Sequence, residues 1–375
     1  MSKWPMVKLH AICRPRQWPT IGLDKLKETG FPVYGANGKI GFYDDFTHEQ
    51  PTVLITCRGA TCGTVRICEA PSYVTGNAMA LDNLDAHVDR NFLARFLSYR
   101  RLDDVISGSA QPQITGEGLR KIEIPKPHLE EQRRIAAILD QADALRTKRR
   151  QALAKLDSLT QSLFLKMFGE LDSMSRWPLK SISEVIAGFD SGKSVVADDL
   201  EIKGGYRVLK VSAVGSAEFF PLENKPLPVG YIPPDNHFVH QGDLLFSRAN
   251  TAELVGLTAY VWEDSVNIAL SDKLWKFKWQ RDSEVSPLFI RQLFRQEKIR
   301  SEISRLATGT SGSMKNISQG KLMGIKIPVP PIALQIEFTE ALMTLNRKRL
   351  HSLHSLYSLD AFFQSLQHRA FRGKL

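Results

Sequence analysis

The sequence predicts an α+β protein: two α/β domains separated by two long helices that form an antiparallel coiled coil, with a pseudo-twofold internal repeat. Three observations carry this. The chain repeats itself at a constant offset, each copy ends in a long apolar stripe with helical spacing, and each copy begins with a strand-rich stretch.

The repeat is direct. Ile114-Thr115 through Ile122-Glu123-Ile124-Pro125-Lys126-Pro127 reappears as Ile317-Ser318 through Ile325-Lys326-Ile327-Pro328-Val329-Pro330, an offset of 203 residues. The offset continues without a gap: Gln132 falls on Gln335, Leu139 on Leu342, Arg146 on Arg349, Asp157 on Asp360 and Phe168 on Phe371. A weaker echo, Lys3-Trp4-Pro5 against Arg176-Trp177-Pro178, has an offset of 173, so the second copy carries 30 additional residues in its front part.

The long helices follow from the stripe. Ile135, Ile138, Leu139, Ala142, Leu145, Leu153, Leu156, Leu159 and Leu163 recur at steps of three and four. Pro125 and Pro127 precede them, Glu130 and Glu131 suit the first turn, and Gly169 is placed for a C-cap. The second stripe is Phe338, Leu342, Leu345, Leu353, Leu356, Leu359, Phe363 and Leu366, after Pro328, Pro330 and Pro331. Neither stripe is stable facing water, so the two helices pack on each other. For the chain to close on itself they run antiparallel, which returns Phe371 to the first domain. The expected segments are 1–127 and 171–330 as globular domains, with 128–170 and 331–375 as the helices.

In the first globular part, 52–56 and 63–67 read as strands, 34–41 as strand–turn–strand around Asn37-Gly38, and 91–99 as a helix. In the second, 206–211, 243–248 and 257–262 read as strands and 288–306 as one helix. Both parts end in a polar, glycine-containing loop, 107–113 and 308–316.

Composition narrows the function. The chain has 375 residues, 43% of them hydrophobic, and 50 Lys+Arg against 40 Asp+Glu, a net charge of +10. It is apolar enough to build cores, which excludes a disordered chain. No run of about 18 apolar residues is present, and the first residues lack the apolar run of a signal peptide, so a cytoplasmic location is expected. The basic excess is compatible with nucleic acid.

Motifs for chemistry are weak. Cys13, Cys57, Cys62 and Cys68 contain no C-x2-C pair, so buried or spare thiols are a better reading than zinc. The run 187–194, Ala-Gly-Phe-Asp-Ser-Gly-Lys-Ser, fits only a relaxed phosphate loop. Val195-Val196-Ala197-Asp198-Asp199, directly after it, suits a loop or strand better than the helix such a site needs. Glu201-Ile202-Lys203 lacks the upstream Pro-Asp strand of a nuclease. Ile232-Pro233-Pro234-Asp235 lacks the Asn and the aromatic residue of a methyltransferase motif.

The assembled residues resemble the specificity subunit (HsdS family) of a Type I restriction-modification system, over essentially the whole chain. Ile124-Pro125-Lys126-Pro127-His128-Leu129-Glu130-Glu131-Gln132, continuing through Ile135-Ala136-Ala137-Ile138-Leu139-Asp140, matches the family's IPxPxxxEQxxIAxxLD pattern. Residues 32–38, 242–248 and 310–318 resemble its first-domain motif, its GDLLFSR strand and its pre-helix loop. The second helix departs from the pattern at Ile336-Glu337-Phe338. The resemblance implies two target recognition domains, each reading half of a split sequence in double-stranded DNA. It also implies two methyltransferase subunits as partners and, in the full complex, two restriction subunits. The chain itself is then non-catalytic and carries no cofactor or metal; the partners of this N6-adenine methyltransferase and endonuclease complex use S-adenosylmethionine, ATP and Mg2+. A stand-alone two-site DNA-binding protein and a fused enzyme are the competing readings.

On that reading, Lys and Arg bind phosphates, while Arg, Asn and Gln read base edges. The candidates in the first domain are Arg14, Arg16, Gln17, Asn37, Lys39, Arg58, Arg66, Gln111 and Gln113. In the second they are Lys193, Arg248, Asn250, Lys273, Ser311, Ser313, Lys315 and Asn316.

Overall fold

The structure, a computed structural model, describes residues 4–108, 111–170, 177–193, 205–215, 218–311 and 314–375. It contains two compact units, Met1–Ala152 with Ser352–Leu375, and Leu153–His351. Each unit therefore takes one globular part and a stretch of both long helices.

In unit 1, strand Met6–Lys8 lies antiparallel to Glu123–Pro125, with Met6 opposite Pro125, so the first and last strands of the domain are paired. A one-turn helix, Leu9–Ile12, leads into the main antiparallel sheet, whose order is Arg14–Gln17, Ala78–Asp82, Val53–Thr56, Val65–Ile67. A smaller sheet sets Phe31–Gly35 between Gly38–Tyr43, antiparallel, and Tyr73–Val74, parallel. The turn falls one residue earlier than expected, on Ala36 and Asn37: Gly35 pairs with Gly38, which opens the next strand and whose φ of +89° favours glycine. Helix Arg90–Arg100 starts where the Asp89 carboxylate accepts the Phe92 N–H at 2.9 Å, and it buries Phe92, Leu93, Phe96 and Leu97.

Unit 2 repeats the plan. Leu179–Ser181 pairs with Lys326–Pro328, Leu179 opposite Pro328, which reproduces both sequence offsets in one register. The one-turn helix Ile182–Val185 is held by a capping box between Ser181 and Glu184. The main sheet runs Ile186–Ser191, Leu274–Trp279, Leu244–Ser247, Thr258–Tyr260. The smaller sheet sets Arg207–Leu209 between Asn224–Pro226, antiparallel, and Ile268–Ala269, parallel. One sheet distinguishes unit 2: Ala249–Asn250, Met314–Asn316 and Thr308–Ser311.

The single helix expected over 288–306 is instead two, Pro287–Leu293 and Glu297–Leu306. The break serves burial. Phe294 drops into the core at 1% exposure, and Gln296 turns extended (φ −68°, ψ 135°) while its amide donates to the Gln292 carbonyl at 3.0 Å.

The long helices span Leu129–Phe168 and Ile332–Ala370. Gly169 closes the first with φ +85° and an N–H bond to the Leu165 carbonyl. Within unit 1, Ile135 and Leu139 share a core with Phe363, Leu366 and Phe371, and Arg146 bonds Asp360 at 2.5 Å. Within unit 2, Phe338 meets Phe164 and Phe168 at 5.7 and 5.4 Å, and Arg349 faces Asp157 at 3.4 Å. In both, rising numbers on one helix meet falling numbers on the other, so the pair is antiparallel. Phe371 returns to the first domain, packing on Phe92 and Phe96 at 5.7 and 5.3 Å. Two expected seam residues do not belong to it: Leu145 and Leu159 are 55% and 49% exposed. The covered line runs 142, 146, 149, 153, 156, 160, and its partly buried Arg146, Arg149 and Thr160 are polar, so apolar counting alone misplaces it.

The repeat pair Gln132 and Gln335 has a structural purpose. Gln132, 1% exposed, accepts the Asp89 N–H (2.8 Å) and donates to the carbonyls of His87 (3.0 Å) and Pro127 (2.8 Å). Gln335, fully buried, accepts the Ser286 N–H (2.9 Å) and donates to Glu284 (2.9 Å) and Pro330 (2.7 Å). Each amide thereby fastens the start of a long helix to the start of the domain's own helix.

Candidate nucleic-acid interface

In unit 2 the candidate residues converge on one end of the main sheet. The chain leaves strand Leu244–Ser247 at Arg248, whose N–H donates to the Lys273 carbonyl (3.1 Å) and whose carbonyl accepts the Ile317 N–H (3.0 Å). Ala249 and Asn250 then pair with Asn316 and Lys315. Three distant segments thus bring Arg248, Asn250, Lys273, Lys315 and Asn316 together. Lys193 leaves the same end, because Ser191 is opposite Trp275 and Ser247 is opposite Leu274. The Arg248 guanidinium lies 5.6 Å from the Trp275 ring centre, and its Nε is buried with no acceptor. Asn250 Oδ1 takes the Thr251 N–H at 2.9 Å. Ser311 joins the sheet through its backbone opposite Met314, and Ser313 lies outside the described residues. Burial first, then the charge of Lys193, holds the His237 ring below its ordinary pKa, which favours the neutral imidazole there.

Unit 1 uses the equivalent end. The Cys57 carbonyl accepts the Ile114 N–H at 3.0 Å, which sets Cys57 where unit 2 has Arg248. Arg58 bridges to Gln113, Gln113 bridges to Ser107, and the Gly59 N–H reaches the Pro112 carbonyl beside Gln111. Gln17, at its strand's end, donates to the Gly76 carbonyl (2.8 Å) and to Cys57 Sγ (3.1 Å). The Asn37 turn docks here because Thr56 and Thr61 hydroxyls both donate to the Ala36 carbonyl. Arg66 lies against that turn so closely that a Cβ on Gly38 would sit 2.2 Å from its guanidinium, and its Nε is likewise buried without an acceptor. Burial pushes the Cys57 thiol up, and Cys13 is pushed to about 12, so both remain protonated.

Three candidates stand apart. Arg14 lies at the other end of its strand from Gln17, opposite Asp82, and Arg16 lies within the strand, opposite Ala80. They line an open basin of about 1760 Å³ with Trp18, His48, Arg90 and Arg120. Arg16 stacks on Trp18 at 4.1 Å, while Asp82 accepts from the Trp18 indole (3.1 Å) and bonds His48 (2.9 Å). Lys39 is engaged with Glu69 at 3.4 Å and the Phe42 ring. Sequence reasoning missed the basin; the Arg-x-Trp alternation at 16–18 was the one available signal.

The phosphate-loop-like run begins inside strand Ile186–Ser191, and Gly192 is wedged against Leu270, where a Cβ would be 1.7 Å from the carbonyl oxygen. Ser194 and Glu201–Lys203 lie outside the described residues. Among the described residues, no three His, Cys, Asp or Glu gather to hold a metal, and no helix is long and apolar enough to cross a membrane.

Residues 1–156 match the family model of the Type I restriction modification DNA specificity domain. The chain is 31% identical over 163 residues to the EcoEI specificity subunit of Escherichia coli, a match covering 43% of this chain and 27% of that one. Over these residues the chain is similar to the specificity subunits of Type I restriction enzymes. The EcoKI specificity subunit of Escherichia coli strain K12 matches at 24% over 339 residues, 84% of this chain and 68% of that subunit. Against EcoEI, the match spans little more than a quarter of the relative's length. The fold agrees with the S subunit of a Type I restriction-modification system from M. genitalium at a TM-score of 0.68, with 16% identity over 99% of this chain and 96% of that one. A chain from work on assembly and conformational transition of the type I system superposes at 0.52, with 15% identity over 99% and 98%.

Proposed function

We propose that this chain is the specificity subunit of a Type I restriction-modification system and binds a bipartite site in double-stranded DNA, each unit reading one half with its sheet-end cluster. The observation that carries the reading is the recurrence of that cluster. At the equivalent end of both main sheets, separate segments gather such residues, Arg, Asn and Gln in unit 1 and Arg, Lys and Asn in unit 2, and in each an arginine (Arg66, Arg248) has its Nε buried. A guanidinium held in this way presents its outer nitrogens with little entropy left to lose, as bidentate reading of guanine requires.

The subunit recruits two methyltransferase subunits and, in the complete enzyme, two restriction subunits. Those partners supply the S-adenosylmethionine, ATP and Mg2+ chemistry. A partner surface supports this over a stand-alone DNA-binding protein: Ile336, Met343 and Leu350 recur every seven residues on the second helix and are 49%, 41% and 36% exposed.

The test is exchange and point mutation in the assembled methyltransferase. Replacing residues 1–127 with another member's first domain changes one half of the methylated sequence and leaves the other. Arg248→Ala costs about 1–3 kcal/mol at one base position, whereas Lys315→Ala weakens all sequences alike if it holds a phosphate. A change in both half-sites on domain exchange overturns the independent-reader assignment.

A further inference from the structure

In unit 1 the amide of Gln17 is turned one way by its surroundings. Its Nε2 donates to the Gly76 carbonyl at 2.8 Å and to Cys57 Sγ at 3.1 Å, and the Cys57 thiol donates to the same carbonyl at 3.4 Å. The three bonds close a triangle. Burial, the first cause acting on the Cys57 thiol, raises its pKa and keeps its hydrogen available for the carbonyl. A flipped amide would set Oε1 against the Gly76 oxygen, acceptor against acceptor, so the bonding decides which amide atom faces inward. The seat itself is held. Cys57 is fully buried, its N–H donates to the Asn77 carbonyl at 3.1 Å, and its carbonyl accepts the Ile114 N–H at 3.0 Å. Gly76 is packed so closely that a Cβ there would lie 3.0 Å from the Trp18 carbonyl oxygen.

The consequence lies on the outer side. Gln17 is exposed at the sheet end that also carries Arg58 and Gln113, and among the described residues nothing donates to its Oε1. Nε2 has two hydrogens and two inward acceptors. A free glutamine offers a donor and an acceptor together, which is what bidentate reading of adenine needs. Gln17 offers the acceptor alone. In the major groove adenine N6 and cytosine N4 are donors, whereas guanine O6 and thymine O4 are acceptors. An acceptor fixed at the groove therefore bonds an amino base and repels a keto base.

We propose that Gln17 is a specificity-determining residue of unit 1: through Oε1 it accepts from an exocyclic amino group and so selects adenine or cytosine over guanine or thymine at one position of the half-site. Cys57 is its positioning residue. This rests on the reading of unit 1 as a DNA reader and adds what that reader demands of one base. Unit 2 places other residues at these positions. At the front offset of 173, Gln17 becomes Asp190, and Arg248 takes the place of Cys57. Asp190 accepts from Asn236 Nδ2 at 3.0 Å and lies 3.6 Å from Lys278, so its charge is engaged within the protein. Arg248 brings donors where unit 1 seats an acceptor, so the two units make different demands at matching places.

The experiment uses the full chain assembled with its methyltransferase partners, and methylation is read on a duplex library randomised across the half-site of unit 1. Every base pair carries an amino group on one strand, so the decisive readout is how a substitution moves the preference at a single position. Gln17→Ala lowers the amino-base preference there by about threefold to tenfold, for one lost hydrogen bond, and leaves the other positions alone. Gln17→Lys sets a donor in its place and turns the preference to guanine or thymine. Gln17→Glu, still an acceptor, keeps the original sign. Cys57→Ser accepts and donates as the thiol does and retains the parent's preference. Cys57→Val frees one amide hydrogen, and adenine gains on cytosine by about threefold to tenfold. A purely structural role for either residue would change affinity or stability and reverse no preference. A uniform loss across all sequences in Gln17→Lys, or an unchanged ratio of adenine to cytosine in Cys57→Val, would overturn the proposal. Exchange of residues 1–127 in the same assay separates it from the wider reading. An exchanged half-site in which no position answers to Gln17 sinks the glutamine assignment alone; a half-site that the exchange leaves unchanged sinks unit 1 as its reader.

Discussion

Unit 1 fastens its helix pair with Arg95, Arg146 and Arg150 on Asp140, Asp143 and Asp360, whereas unit 2 sets Arg291, Arg295 and Arg349 around Glu218 and Asp157. The same two units keep identical glutamine clamps, identical end-strand registers and the same two sheets. The contrast separates what the repeat must retain from what it can vary. A buried amide satisfying three backbone groups tolerates no substitute of other shape, because each orphaned group is penalised. An ion cluster tolerates redistribution where its members are partly exposed, as Asp140 and Arg150 are, because solvent screens them and exposed pairs contribute little.

The largest effects should therefore come from the part that does not differ. Gln132→Leu leaves the Asp89 N–H and the His87 and Pro127 carbonyls without a partner; Gln335→Leu does the same to Ser286, Glu284 and Pro330. At about 1–3 kcal/mol per buried group, each change should cost about 4 kcal/mol in urea unfolding. Nearly equal losses are expected. A loss below about 1 kcal/mol in one unit would show that the two clamps are not equivalent.

The next effect should differ between units. Glu218→Gln leaves three guanidinium groups around an uncharged amide, and Arg291 is buried among them, so about 3 kcal/mol should be lost. Asp140→Asn leaves Arg95 with Asp143, and Asp140 is 42% exposed, so under about 1 kcal/mol is expected. Equal costs for the two would contradict the deeper burial of the unit 2 cluster.

The contrast also explains how much could be read in advance. The long helices were legible because periodicity and direct repetition record them; the pairing of the end strands was not read, although Met6 against Leu179 and Glu123 against Lys326 carry the offsets straight into the registers. The coiled-coil line was only partly legible, since Arg146, Arg149 and Thr160 cover it alongside leucines. The break before Glu297 was hidden because Gln296 caps Gln292 through a side chain rather than a Gly or Pro signal. In the candidate interface, the structure brings the pre-helix loops to the equivalent sheet end in both units. Arg14 and Arg16 line the basin instead, because a strand's residue types do not say which part of the sheet surface each side chain reaches. Nor could spacing reveal that Cys57 occupies the position of Arg248; only the bonds to Ile114 and Ile317 do so.

The smallest expected effect concerns pH and unit 1 alone. Lys126 donates to Asp85 at 2.6 Å, and unit 2 has Val329 at the position equivalent to Lys126. The Lys126 hydrogen bond first, then the His87 N–H, hold the Asp85 carboxyl below the usual carboxylate range. A carboxyl depressed in the folded state contributes stability fully above its unfolded value, about 4, and loses it as pH falls through the folded value. Lys126→Met should therefore destabilise the protein at pH 7 by less than about 1 kcal/mol, since both side chains are partly exposed. The difference from the parent should shrink on acidification and vanish once Asp85 is protonated in both proteins. Urea unfolding at a series of pH values from 7 to 2.5 reads it directly. A gap that stays constant down to the lowest pH would mean that Lys126 acts through the packing of its methylenes and not through the ion pair.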